Sequence, residues 1–123
     1  MAEPLKGLKI LVVEDEYLIA SLIEHVLNAA GCVVAEPISH LAQAQEAARR
    51  NAYDAAVLDI NLRGERVYPV AEILSEREIP YFFVSGYHAI DLPAGYEGRR
   101  KLGKPFRSEQ LLDTLSNLVS AHL

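Results

Sequence analysis

The feature that most constrains this chain is an alternation of two periods. Short aliphatic runs are separated by longer segments whose apolar residues recur at helical spacing, the pattern of βα units laid around a parallel sheet. Five units fit. Strands are expected at residues 9–13, 32–35, 55–58 and 81–84, with a weaker fifth near 101–103 that is poor in apolar residues. Between them Leu18, Ile19, Leu22, Val26 and Leu27 form one stripe on a first helix that stops at Gly31, a residue suited to a helix C-terminus. Leu41, Ala44, Ala47 and Ala48 form a thinner second stripe. Val67, Val70, Ala71 and Leu74 define a third helix, with Pro69 tolerated in its first turn. The last helix carries Leu111, Leu112, Leu115, Leu118 and Val119 behind an expected Ser108 N-cap. Residues 86–98 hold Pro93, Gly95 and Gly98 and few apolar side chains, so the fourth helix is expected to be short or mobile. A length of 123 residues fits one domain, so a single domain spanning residues 1–123 with no separate effector is expected.

Bulk properties exclude several functions. Aliphatic runs such as residues 10–13 are too short to cross a bilayer, and the first residues lack the apolar stretch of a signal peptide. No membrane association and a cytoplasmic location are expected. The single cysteine, Cys32, sits among valines and reads as a small buried hydrophobe. A formal charge of −5 disfavours nucleic acid, and the one basic run, Arg99-Arg100-Lys101, reads as a solvated loop. The four histidines show no metal-ligand spacing and read as surface residues, while Tyr17, Tyr53 and Tyr96 read as core-edge aromatics.

In open parallel sheets, ligands bind beyond the carboxyl ends of the strands, where strand order reverses. The polar residues follow that rule. Glu14, Asp15 and Glu16 come after the first strand, Asp59 closes the third, Ser85 the fourth and Lys104 the fifth. With strand order 2-1-3-4-5, the first and third strands are neighbours, and Asp15 and Asp59 lie close together. Two carboxylates about 4 Å apart repel by about 4 kcal/mol at an effective dielectric near 20, so something positive must offset them. Lys104 supplies one charge, and the remaining excess of carboxylate suits Mg²⁺, a hard cation that takes carboxylates, waters and phosphate oxygens. Asp59 then reads as a fixed nucleophile able to accept a phosphoryl group. Asn61 could offer its backbone carbonyl to the same ion.

Each residue taken singly has a plainer use. Asp15 could cap the first helix, Asp59 a turn; Ser85 could satisfy local backbone and Lys104 could be solvated surface. Their joint occurrence at four strand ends decides for the functional reading.

With these residues in hand, the chain resembles the receiver domain of bacterial two-component response regulators over almost its whole length. Val13-Glu14-Asp15-Glu16 is similar to the acidic cluster after the family's first strand, Asp59 to its phosphoacceptor, Ser85 to its hydroxyl residue and Lys104-Pro105-Phe106 to its lysine motif. The resemblance implies a flavodoxin-like (βα)5 doubly wound α/β fold. It implies Mg²⁺ bound by Asp15, Asp59 and the Asn61 carbonyl, with Glu14 acting through water. Ser85 and Lys104 would contact phosphoryl oxygens, and the Lys104–Pro105 bond would be cis. A partner sensor histidine kinase would donate the phosphoryl group, and output would pass to a downstream protein target or a phosphotransfer protein, the domain acting as a switch, relay or phosphate sink.

A narrower likeness joins Asn61-Leu62-Arg63-Gly64-Glu65, Val67-Tyr68-Pro69-Val70-Ala71 and Phe83-Val84-Ser85-Gly86-Tyr87 to the stand-alone FAT GUY group of receivers, which implies a kinase of HWE or HisKA2 type. Val84, Ser85 and His88 depart from that group's motif. Where receivers carry an aromatic three residues before the lysine, this chain has Lys101. Tyr87, or reordering of residues 86–98, would then take over the switch. Rival readings stay open: a receiver-like adaptor that is not phosphorylated, and an aspartate-nucleophile phosphatase, although the latter places an Asp-x-Asp pair after its first strand. A flavin-binding domain would need a phosphate-cradling loop where Glu14, Asp15 and Glu16 stand.

Overall fold

The computed structural model describes residues 5–86, 92–96 and 98–122. In chain order the elements are β1 (Lys9–Val13), α1 (Tyr17–Ala29), β2 (Val33–Val34), α2 (Leu41–Arg50), β3 (Ala55–Asp59), β4 (Asn61–Leu62), β5 (Glu65–Arg66), α3 (Tyr68–Glu76), β6 (Tyr81–Ser85), β7 (Lys101–Gly103) and α4 (Ser108–His122). Five strands form one sheet in the order β2-β1-β3-β6-β7, with every neighbouring pair parallel. This is the expected flavodoxin-like order 2-1-3-4-5, renumbered because the antiparallel pair β4–β5 comes between β3 and β6. Four helices are present among the described residues. The expected short fourth helix falls partly outside them, at residues 87–91 and 97; the described residues 93–96 form a turn in which Tyr96 N–H donates to the Pro93 carbonyl at 3.0 Å.

The strands are aliphatic because both sheet faces are covered. Alternate side chains on the central strands enter two separate cores. Leu11, Val13, Ala56, Leu58, Tyr81 and Phe83 pack with α2 and α3, whereas Ile10, Val12, Ala55, Val57, Phe82 and Val84 pack with α1 and α4. Within α2 only alanines, Ala44 and Ala48, are fully buried, which lets that helix lie close to the sheet and to α3.

Local signals hold at most boundaries. Gly31 ends α1 with φ +95, its N–H donating to the Asn28 carbonyl and that of Cys32 to the Leu27 carbonyl, the paired closure of a Schellman motif. Cys32 is buried, its Sγ donating to the Leu5 carbonyl. Three expectations need correction. The buried residues of α1 are Ala20, Ile23, Val26 and Leu27, while Leu18 is 80% exposed and Leu22 is also exposed. Leu18 and Leu22 make a second i, i+4 stripe, and the exits from β1 and into β2 turn the Ile23 stripe inward instead. Tyr17, at the first position of that helix, is 80% exposed rather than core-edge. Finally, Ser108 is the first residue of α4 rather than its cap; Arg107 takes that place, its N–H bonded to Gln110 Oε1 at 2.7 Å, the reciprocal half of a capping box.

Candidate functional site

Sheet register builds the site. Val13 pairs with Leu58, so Glu14, Asp15 and Asp59 emerge side by side where β1 and β3 end. Asp59 pairs with Val84, which sets Ser85 one step beyond it, and Lys104 N–H donates to the Ser85 carbonyl at 2.8 Å. The Lys104–Pro105 bond is cis. Strand order reverses between β1 and β3, and the cluster sits at that switch point, as expected from the doubly wound topology.

One carboxylate oxygen from each of Glu14, Asp15 and Asp59 lies within 4.8 Å of the others. Lys104 Nζ donates to Glu14 Oε2 at 3.0 Å, to Glu16 Oε1 at 2.6 Å and to Asp59 Oδ2 at 3.4 Å. The ammonium is therefore no solvated surface charge: its side chain is 11% exposed, and the Glu14 side chain is fully buried. Glu14 Oε2 also accepts from Glu16 N–H, while Glu14 Oε1 is buried with no partner among the described residues. Asp15 does not cap α1, whose N-cap is Glu16; its Oδ2 accepts instead from Arg63 N–H at 2.9 Å. Asp59 Oδ1 accepts from Asn61 N–H at 3.3 Å.

The electrostatics follow from this crowding. Burial pushes the Asp59 carboxyl up to about 8, with the hydrogen bond and charge of Glu14 adding to the rise and Lys104 opposing it. Burial alone would lower the pKa of Lys104; the bond to Glu16 and the charges of Asp59 and Glu14 overcome it and hold the ammonium protonated well above its ordinary range. Asp15 is shifted the other way: burial would raise it, but the Arg63 amide and a hydrogen bond from Asp59 bring it below the usual carboxylate value. A cavity of about 350 Å³ opens over the cluster, lined by Asp15, Glu16, Asp59, Asn61, Ser85, Gly86 and Lys104, with Arg66 at its hairpin side. Lys101 is not part of it. That side chain is exposed on β7 opposite Phe83, and Tyr87 lies outside the described residues.

The sequence profile of the response regulator receiver domain matches residues 10–116. The chain belongs to the response regulator receiver family. Receivers are generally phosphoacceptor switches of two-component signalling rather than turnover enzymes. It is similar to a response regulator receiver protein from Sinorhizobium medicae WSM419, with TM-score 0.85 and 30% identity over 97% of this chain and 99% of that one. SdrG from Sphingomonas melonis Fr1 gives TM-score 0.82 and 34% identity, again over 97% and 99% of the two chains. The receiver domain of the sensor histidine kinase PA1611 from Pseudomonas aeruginosa PAO1 shares the fold at 24% identity and TM-score 0.78, over 93% of this chain and 98% of that one; that protein has a magnesium ion coordinated in its active-site cleft. Among curated proteins none matches significantly by sequence. Among the described residues of this receiver, no helix is long and apolar enough to cross a membrane.

Two contributors to the receiver site, Arg63 and Arg66, escaped the sequence reading, and a third, Glu16, was placed at the strand ends without a role. Glu16 appears in the sequence as one more acid after β1, but its carboxylate makes the shortest bond to Lys104. The amide of Arg63 and the side chain of Arg66 arrive on the β4–β5 hairpin, whose turn residues Arg63 and Gly64 have φ +52 and +86, both positive as a type I′ turn requires. The available signal was Gly64 between two short pairs; arginine before it hides the turn, because Asn or Asp is usual at that position.

Proposed function

We propose that this receiver domain accepts a phosphoryl group on Asp59 from a partner histidine kinase and then presents a changed surface to another protein. The observation that carries the reading is the convergence of Asp15, Asp59 and Lys104, from three strand ends, on one open cavity, with Glu14 buried against Lys104. Asp59 is the acid that Glu14 and burial act on, and Lys104 is the cation within reach of it.

The donor set fits Mg²⁺. Three hard carboxylate oxygens stand within 4.8 Å of one another, and Glu14 Oε1 has acceptor capacity that no described residue uses. Asp15, Asp59 and the carbonyl of Asn61 would hold the ion directly and Glu14 through water. When bound, Mg²⁺ neutralises the crowded carboxylates and the charge on the transferring oxygens. The chain's own residues do the rest. An Asp59 oxygen attacks phosphorus in line with the kinase imidazole; the P–N bond breaks as the P–O bond forms, and the imidazole leaves with a proton from solvent. Lys104 offers its ammonium to one phosphoryl oxygen and Ser85 its hydroxyl to another. The product adds about two negative charges beside the end of β6, and drawing Ser85 toward them biases β6 and the segment after it between two arrangements. Output passes to a protein target or a phosphotransfer protein, in the cytoplasm. The motif likeness around Asn61, Val67 and Phe83 points to a kinase of HWE or HisKA2 type. A hydrolase is disfavoured because Asn61 stands where a second acid would protonate a leaving group.

Intact mass after incubation with acetyl phosphate and Mg²⁺ tests the reading. One added phosphoryl group on the wild type and none on Asp59→Asn is expected. Equal masses would leave an adaptor that is not phosphorylated.

A further inference from the structure

We propose that Arg66 is a second phosphoryl-binding cation of this site, delivered by the β4–β5 hairpin. The inference rests on the phosphoacceptor reading above and adds a residue to it. In the antiparallel register Asn61 faces Arg66 and Leu62 faces Glu65, so the Asn61 and Arg66 side chains share one face of the hairpin. Leu62, from the other face, is fully buried and fixes the hairpin's orientation against the core. Asn61 and Arg66 accordingly line the cavity over Asp59, together with Ser85 and Lys104.

Charge makes this placement consequential. Lys104 divides one positive charge among Glu14, Glu16 and Asp59, and an incoming phosphoryl group brings about two negative charges. Even with a divalent cation offsetting the acids, the phosphoryl oxygens need further donors. Arg66 has them to spare. Its one hydrogen bond among the described residues is Nη1 to the neutral Asn61 Oδ1 at 3.4 Å, and no described carboxylate pairs with it. That bond is long and cheaply exchanged, whereas a guanidinium presents a planar fork of N–H donors matched to phosphate oxygens. Lys104 approaches from the end of β7 and Arg66 from the hairpin, so the two cations reach the phosphoryl group from different elements. No covalent step is added: with acetyl phosphate, the P–O bond to Asp59 forms as the P–O bond to acetate breaks, and acetate departs.

The test compares wild type, Arg66→Ala and Arg66→Lys. Three quantities are read: labelling rate against acetyl phosphate concentration at saturating Mg²⁺, affinity for the phosphoryl mimic trifluoroberyllate, and Mg²⁺ affinity without the mimic from amide shifts. Arg66→Ala is expected to lower the second-order labelling rate and the mimic affinity about five- to tenfold, the scale of one partly exposed charge-assisted contact. Mg²⁺ affinity should stay within about twofold, and Arg66→Lys should recover only part of the loss because a point charge lacks the fork. Wild-type labelling and mimic affinity in Arg66→Ala overturn the inference while leaving phosphorylation intact. Equal losses of mimic and Mg²⁺ affinity overturn it too, by making Arg66 a prop for Asn61. Native amide shifts at Leu62 and Val67 exclude a misfolded hairpin, and failure of the wild type itself to be labelled removes the phosphoacceptor reading along with this one.

Discussion

Replacing Asp59 with asparagine is expected to stabilise the metal-free protein, and to do so more as pH rises. In the folded chain Asp59 stands within 4.8 Å of a Glu14 oxygen and an Asp15 oxygen, and at an effective dielectric of about 20 each contact repels by about 3.5 kcal/mol when all are ionised. Against this, Lys104 Nζ at 3.4 Å attracts by about 5 kcal/mol on the same scale. The two repulsions outweigh the attraction by about 2 kcal/mol, and burial of the charge adds to the penalty. The wild type escapes part of it by keeping a proton, since Asp59 is pushed up to about 8. Because this pKa is raised in the folded state, the folded protein binds more protons than the unfolded chain between about pH 4 and that value, and stability drains away as pH climbs through the window.

The asparagine variant has no such proton to lose. Its advantage should therefore be small near pH 5, grow through neutrality and level off above about pH 8 at about 2 kcal/mol or more. Mg²⁺ narrows the gap: at ten times its dissociation constant it adds about 1.4 kcal/mol to the wild type and much less to the variant, which lacks one ligand. Urea unfolding followed by circular dichroism at pH 5, 7 and 9, with and without Mg²⁺, measures both effects. A stability gap that does not change with pH, or Mg²⁺ stabilising the two proteins equally, would refute the crowding argument.

Two further substitutions follow from the same geometry. Lys104→Met removes the one described cation paired with Glu14, Glu16 and Asp59; it should cost about 3 kcal/mol at pH 8.5 but about half that at pH 5.5, where Asp59 holds its own proton, and equal losses at both values in urea titrations would count against it. Tyr96→Leu removes a ring 5.1 Å from that of Tyr68 and 5.9 Å from that of Phe83, for a cost of about 1–2 kcal/mol. As this ring cluster adjoins Lys101, whose strand partner is Phe83, the variant should also suppress the amide shift at Tyr68 that trifluoroberyllate induces in the wild type; an undiminished shift would mean that Tyr96 is only packing.

What could be read before the structure, and what could not, divides along physical lines. Residues 9–13, 55–58 and 81–84 were legible as strands because a sheet covered on both faces tolerates no polar side chain along its centre, so Asp59 and Ser85 mark the rim by their chemistry alone. The same logic brought Asp15 and Lys104 into the site, since strand order fixes which rims are neighbours. The inward face of α1 was not legible: Leu18 and Leu22 compete with Ile19 and Ile23 at equivalent spacing, and only the attachment of the helix to β1 and β2 chooses between them. The edge strand β2 shrank to Val33–Val34 because it has a neighbour on one side only and turns polar at Glu36. The hairpin was hidden for a deeper reason. Arg66 reaches the cavity through a turn that reverses the chain, so its relation to Asn61 is set by antiparallel register across Arg63 and Gly64 and follows neither the two-residue nor the 3.6-residue period. Periodicity reveals which residues face a core; a group carried to a strand edge by a reversal obeys the turn instead, and a periodic reading passes over it.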